Sequence, residues 1–152
     1  MNLRLLLGAA ALVALPLTGA RAQAGMSLWA GYAKATNDGR SSFDKSGLQL
    51  GAQFGLPIIP IGVRGEALTQ GAGFDTDHLS YLGSALWQLR VPVAQVYAIG
   101  GVGHYGVNDG VTKSGWHLGA GARAGIGRLG VFAELRRHDP LKRTITTVGV
   151  TF

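Results

Sequence analysis

Cysteine is absent from this 152-residue chain, which excludes a disulfide scaffold, a thiolate metal site and a lipidated N-terminal cysteine. Charge is scarce. Asp, Glu, Lys and Arg make up 14% of the residues while hydrophobic residues reach 47%, whereas a soluble globular domain carries roughly one quarter charged residues. Long hydrophobic runs are missing too: after residue 20 nothing approaches the roughly 18 apolar residues of a spanning helix. So oily a chain, without a helical span, must place its apolar surface some other way. The 25 glycines weaken helix interiors and argue against a helical bundle. The length suits one domain.

The formal charge is +6; Arg4 and Arg21 lie in the leader described next, so a mature chain would carry two fewer, +4. The remaining positive charges are scattered, with no stripe of Lys and Arg interleaved with aromatics. No nucleic-acid partner is expected.

Residues 1–24 divide into a basic start at Arg4, an apolar core from Leu5 to Leu17 broken only by small residues and Pro16, and small residues at alternate positions Ala20, Ala22 and Ala24. Cleavage after Ala22 or after Ala24 satisfies the small-x-small rule, so residues 1–24 are expected to be a secretory signal peptide and residues 25–152 the mature domain. An uncleaved anchor would need a longer apolar run.

The mature part reads as strands throughout, over 26–34, 47–54, 61–69, 79–89, 94–105, 114–126, 131–137 and 144–152, with turn-forming residues between them. Long polar connections (35–46, 70–78, 106–113, 138–143) alternate with short ones (55–60, 90–93, 127–130). In an up-and-down barrel all connections of one kind fall at one end, as in outer-membrane barrels with long outer loops and short periplasmic turns. An even strand number puts both termini at the periplasmic end. The expected fold is all-β: an eight-stranded antiparallel up-and-down transmembrane β-barrel.

Alternation indicates the environment. Leu48, Leu50, Ala52 and Phe54 oppose Gly47, Gln49, Gly51 and Gln53; Trp116, Leu118, Ala120, Ala122, Ala124 and Ile126 oppose Gly115, His117, Gly119, Gly121, Arg123 and Gly125. Val148, Val150 and Phe152 oppose Ile145, Thr147, Gly149 and Thr151. Ile61, Val63 and Ala67 oppose Arg64 and Glu66, and Val131, Ala133 and Leu135 oppose Phe132, Glu134 and Arg136. In a soluble barrel the bulky face would be the core; in a membrane barrel it meets lipid. The second face is rich in glycine and small residues where a soluble surface would carry many charges, and a narrow eight-stranded lumen accommodates such a face. Tyr32, Tyr81 and Trp116 fall near the loop ends, and Phe54, Trp87 and Phe152 near the turn ends, sketching two interfacial girdles. Strand 79–89 alternates weakly, because Leu82 and Leu86 share the face of Ser80, Ser84 and Gln88. The phase of 94–105 is ambiguous.

Tyr97–Tyr105 (YAIGGVGHY), Gly130–Arg136 (GVFAELR) and Thr147–Phe152 (TVGVTF) resemble the small outer-membrane barrels of the OmpA/OmpX type. The resemblance covers the whole mature part, and its most specific carrier is the final aromatic with Val148 and Val150 in phase before it. It implies that Val148, Val150 and Phe152 form the signal read by the barrel-assembly machinery. It also implies export through the periplasm to the bacterial outer membrane, lipid and lipopolysaccharide as surroundings, and a monomer. No peptidoglycan-binding domain follows Phe152, so no cell-wall tether is expected, and the modest loops do not suggest a dedicated adhesin.

Arg64, Glu66, Arg123, Glu134 and Arg136 share the inward parity and are expected to form a lumen charge network, with Glu134 paired to Arg123 or Arg136. A filled polar core is favoured over a gate or narrow ion path. Asp75, Asp77 and His78 come nearest to metal-ligand spacing, but loop solvation explains them equally well and neither metal nor cofactor is expected. A lipid-modifying enzyme (a lipid A deacylase or phospholipase) is the rival class: in sequence, however, His104 has no nearby serine, and Ser114 precedes His117 without a hydrolase motif. A soluble secreted ligand-binding barrel fits poorly with a glycine-lined, charged interior. The expected role is structural or envelope-integrity, without catalysis, with surface recognition through the loops as an addition.

Overall fold

Strands of period two have two faces, and enough of them pairing in sequence order can satisfy every ladder by closing on themselves. The computed structural model describes residues 25–37, 40–55, 59–69, 79–91, 94–107, 111–126 and 129–152. Its eight strands are β1 (Gly25–Asn37), β2 (Arg40–Gly55), β3 (Ile61–Thr69), β4 (Leu79–Val91), β5 (Ala94–Val107), β6 (Val111–Ile126), β7 (Leu129–His138) and β8 (Arg143–Thr151). Each pairs antiparallel with its sequence neighbours, and β8 returns to β1, closing the barrel. Closure leaves no free edge to template aggregation or to strand backbone groups in a membrane.

The stagger is fixed by the pairings. Stepping across them from Gly25 leads through Gly55, Gly62, Leu86, Ile99, Gly119, Arg136 and Ile145 to Ala35, which is ten residues further along β1. A shear of that size forces the strands to tilt, by about 35–45° for barrels of this kind.

Two long connections are shorter than the sequence suggests. β1 and β2 remain paired through Thr36↔Ser41 and Asn37↔Arg40, past an irregularity between Lys34 and Thr36. β5 and β6 stay paired out to Val107↔Val111. Polar and β-branched residues there still make ladder bonds; the apolar alternation stops where the lipid-facing surface stops, and the strands do not. The leader (1–24) and the Asp75–Asp77–His78 segment lie outside the described residues.

The outer face is apolar. Leu48, Leu50, Val63, Val102, Leu118, Val131, Leu135, Val148 and Val150 are all exposed, while the buried residues include Arg64, Glu66, Glu134, Arg136, His117 and His138. Exposed leucines around buried ion pairs invert a water-soluble protein and match a barrel standing in lipid. Tyr32, Tyr81, Trp116, Phe54, Trp87 and Phe152 all point outward.

The two unsettled strands now have a phase. In β4, Leu82 and Leu86 point inward with Ser80, Ser84 and Gln88. In β5, Tyr97, Ile99, Gly103 and Tyr105 point inward, and Val96, Ala98, Val102 and His104 outward. The bulky inward residues face glycines across the ladder: Tyr97 pairs with Gly121 and Ile99 with Gly119. A Cβ on Gly121 would stand 2.5 Å from the Tyr97 ring, and one on Gly51 would stand 2.7 Å from the Trp29 indole nitrogen. The inward glycines are the space into which large lumen side chains fold.

Candidate functional site

The lumen is the candidate site, and it is filled in layers. In the middle, Arg64 and Glu66 project from β3, and Glu134 and Arg136 from β7, four strands away and therefore on the opposite wall. The parity of each strand, which sends Val63 or Leu135 to the lipid, sends these four charges inward.

They form a closed circuit across the lumen. Arg136 grips Glu66 through both terminal nitrogens, Nη2 donating to Oε2 at 2.9 Å and Nη1 to Oε1. Arg64 Nη1 donates to Glu134 Oε2 at 2.5 Å. Arg136 Nε lies 2.5 Å from Glu134 Oε1, but that oxygen receives no well-directed hydrogen bond; the contact is a charge pairing by proximity. The fourth side, Arg64 Nη1 to Glu66 Oε2, is longer at 3.9 Å. None of the four side chains is more than 4% exposed. Each buried charge is thus offset by two opposite ones, the condition under which the desolvation cost of burial is repaid.

Neighbouring groups fix the circuit in place. Gln53 Oε1 accepts from Arg64 Nε at 3.2 Å and Nη2 at 2.8 Å, and the Tyr97 hydroxyl donates to Glu134 Oε2 at 2.8 Å. The Arg64 guanidinium lies 4.9 Å from the centre of the Trp29 ring and 5.2 Å from that of Tyr97, a cation–π arrangement that strengthens away from water. Trp29 meets Phe132 edge to face at 5.1 Å.

Toward the loop end, Ser84 Oγ is 2.9 Å from His117 Nε2, the Tyr105 hydroxyl 3.2 Å from His117 Nδ1, and His138 Nδ1 3.0 Å from the same hydroxyl. One hydroxyl between two Nδ1 atoms can donate to only one of them, so the other ring must donate to it. The two imidazoles stack at 5.4 Å. Above them Ala33, Ala35, Leu68, Leu82, Tyr105 and Ile145 form an apolar layer on which Leu141 packs.

Arg123 shares the inward parity but stands outside the circuit. It lies toward the turn end, where its Nη1 donates to Ser27 Oγ at 3.3 Å. The second partner of Glu134 is Arg64, because β3 faces β7 across the lumen while Arg123 on β6 sits lower, beside Gly130 and Thr151. Gln53 and His117, which alternation already puts on the second face, belong to the filled lumen, as do Trp29, Tyr97, Tyr105 and His138, which sequence reasoning did not assign. The signal available for Tyr97 was the run of glycines on β6 facing it.

Val148, Val150 and Phe152 lie on the lipid-facing side of the last strand. The Phe152 backbone exchanges both hydrogen bonds with Leu28, at 2.8 and 3.2 Å.

His104 does have a serine beside it. The β5–β6 register sets His104 opposite Ser114, with Oγ 2.8 Å from Nδ1, a neighbour that ten residues of sequence separation conceal. Both face outward. Among the described residues no carboxylate bonds to His104, and a triad needs a third group to orient the base.

The chain matches no protein-family model and no curated protein. Among solved structures it is similar to a de novo designed transmembrane β-barrel (TM-score 0.58, 15% identity, 84% of this chain and 92% of that one). It is also similar to Ail, the attachment invasion locus protein of Yersinia pestis, in complex with the heparin analogue sucrose octasulfate (0.53, 18%, 84% and 96%). A third similarity is to Neisserial surface protein A (0.51, 12%, 83% and 94%). At these identities the likeness concerns the fold, and the fold is that of small eight-stranded transmembrane barrels.

Proposed function

We propose that this chain is a small integral protein of the bacterial outer membrane, exported through the periplasm, whose barrel has a structural, envelope-integrity role without catalysis. Its lumen is a plug, and its partners are the surrounding lipid and lipopolysaccharide, with the assembly machinery engaging Val148, Val150 and Phe152 during insertion. The observation carrying this reading is the circuit of Arg64, Glu66, Glu134 and Arg136, which joins opposite walls of the lumen with almost no exposure. An ion path would require those side chains to part and water to replace their pairing. The layer under Leu141 supports the same reading, since buried Ala33, Ala35, Leu68, Leu82 and Ile145 make up most of that part of the lumen.

Planar-bilayer recording of the folded protein tests it. The expected record is a silent bilayer after insertion is verified; discrete, reproducible conductance steps from the unmodified protein would replace the plug with a pore.

A further inference from the structure

On three adjacent strands the outward face changes from apolar to polar near the loop end. Arg137 lies between the buried Arg136 and His138 on β7, Thr146 between Ile145 and Thr147 on β8, and Lys34 between Ala33 and Ala35 on β1. Successive strand residues alternate faces, so all three point away from the lumen. Two residues nearer the turn end, on the same outward face, stand Leu135, Val148 and Tyr32, each at least half exposed.

β8 joins the two cations. Arg137 pairs with Thr144, and Lys34 with Thr146; directly paired residues hold their Cβ atoms about 4.5–5.5 Å apart. The ladder rows climb toward the loop end by ten residues over the eight strands. Crossing from β7 to β1 therefore lifts a row by about two to three residues. The row of Arg137 runs through Thr144 to Thr36, and Lys34, two residues below Thr36, stands level with Arg137. Long side chains on the two flanks can bring their charged ends together over the threonine hydroxyls while their stems stay on apolar surface. Asp139, the acid nearest Arg137 in sequence, is held by Lys142 at 3.0 Å.

The opposite sector differs. From β4 to β6 the outward residues near the loop end are Tyr81, His104, Ser114 and Trp116, and among the strand side chains described no further Lys or Arg faces outward. The barrel thus presents its outward cations on one side only, at the level where an apolar face ends. An anion belonging to a lipid fits that boundary. A phosphomonoester carries about −1.5 to −2 charge and three acceptor oxygens, which two cations above two hydroxyls complement better than they do a singly charged diester.

We propose that the loop-end surface of β7, β8 and β1 docks a phosphorylated glycolipid of the outer leaflet. Its phosphomonoester is held by Arg137 and Lys34 over Thr144 and Thr146, and its acyl chains lie on Leu135, Val148 and Tyr32. This rests on the outer-membrane reading, which sets the loop end outermost, and assigns lipopolysaccharide to one sector of the barrel.

Titration of the folded protein in maltoside micelles with diphosphoryl lipid A, followed by ¹H–¹⁵N amide spectra, tests it. The shifts should be saturable and concentrated on Lys34, Arg137, Thr144 and Thr146, with Tyr81, His104 and Ser114 little moved. Lys34→Gln combined with Arg137→Gln should weaken binding at least about tenfold, as expected when charged hydrogen bonds are lost. Lipid A stripped of both phosphates should leave the four residues in place. Shifts spread evenly round the barrel, unchanged affinity in the double variant, or an equal response to the stripped lipid would overturn the site. Matching shifts from phosphatidylglycerol, or from inorganic phosphate alone, would assign the surface to any anionic lipid or to a soluble anion, and either would overturn the glycolipid. Should the double variant not fold, unchanged affinity in both single variants would overturn it equally. Cell fractionation separates this failure from failure of the outer-membrane reading: lost specificity in a protein recovered from the outer membrane refutes the site alone.

Discussion

Glu134 is the most connected of the buried charges: Arg64, Arg136 and the Tyr97 hydroxyl all approach its carboxylate. Removing it strands Arg64 more than Arg136. Arg136 retains its two-pronged grip on Glu66, whereas Arg64 keeps only Gln53, two aromatic faces and a carboxylate 3.9 Å away. Taking one partner from a buried pair costs about 3–5 kcal/mol, less where water can enter. Glu134→Ala should therefore lower unfolding stability by an amount in that range in detergent. Adding Arg64→Ala should recover more of it than adding Arg136→Ala, because the second change also abandons Glu66. Equal recovery by the two double variants would mean that Glu134 serves both arginines alike. Tyr97→Phe keeps the ring over Arg64 and deletes one hydrogen bond, so its cost should be about 1–3 kcal/mol.

Single strands carry the contact with lipid, and here alternation in the sequence was most legible. In β6 every second residue from Trp116 to Ile126 faces outward, as the run of Trp, Leu and alanines against glycines indicates. Leu118 is 60% exposed on that face; Leu118→Arg should impair insertion, costing about 2–4 kcal/mol if the residue sits at the membrane midplane. A monodisperse, detergent-free Leu118→Arg protein would show the apolar face is not in lipid. β5 was not legible in the same way. Its inward face holds Tyr97, Ile99 and Tyr105, as bulky as its outward Val96 and Val102, and only the glycines paired across the ladder distinguish core from lipid. The pairing of His104 with Ser114, and of β3 with β7 charges through the lumen, depends on register and closure, which alternation within one strand does not encode. In β8, deletion of Phe152 should reduce membrane levels in cells far more than refolding into detergent. The ladder loses two terminal bonds with Leu28, while the assembly machinery loses the aromatic it is proposed to read; equal losses in both assays would make Phe152 a packing residue only.

The whole barrel places its obstructions in series. From the turn end, a permeating ion meets the Trp29–Phe132 pair with Arg64 beneath two aromatic faces, then the charge circuit, then the His117–Tyr105–His138 layer. Last comes the apolar layer of Leu68, Leu82 and Ile145. Stability and permeation therefore respond differently to damage. Each layer contributes to folding on its own, so opening any one lowers stability. Current through obstructions in series is limited by whichever stays closed. Leu68→Ala, which truncates a side chain only 1% exposed, should cost about 2–5 kcal/mol and leave the bilayer silent. Glu134→Ala should do the same, for the circuit's reason rather than the cavity's. Combining the two should give roughly additive destabilisation, because the sites share no partner, and still no conductance while the aromatic layer holds. Unfolding curves and bilayer recordings on these three proteins decide the matter. If Glu134→Ala alone opens discrete channels, the charge circuit is the one closed point in an otherwise wet lumen, and the protein is a gated pore.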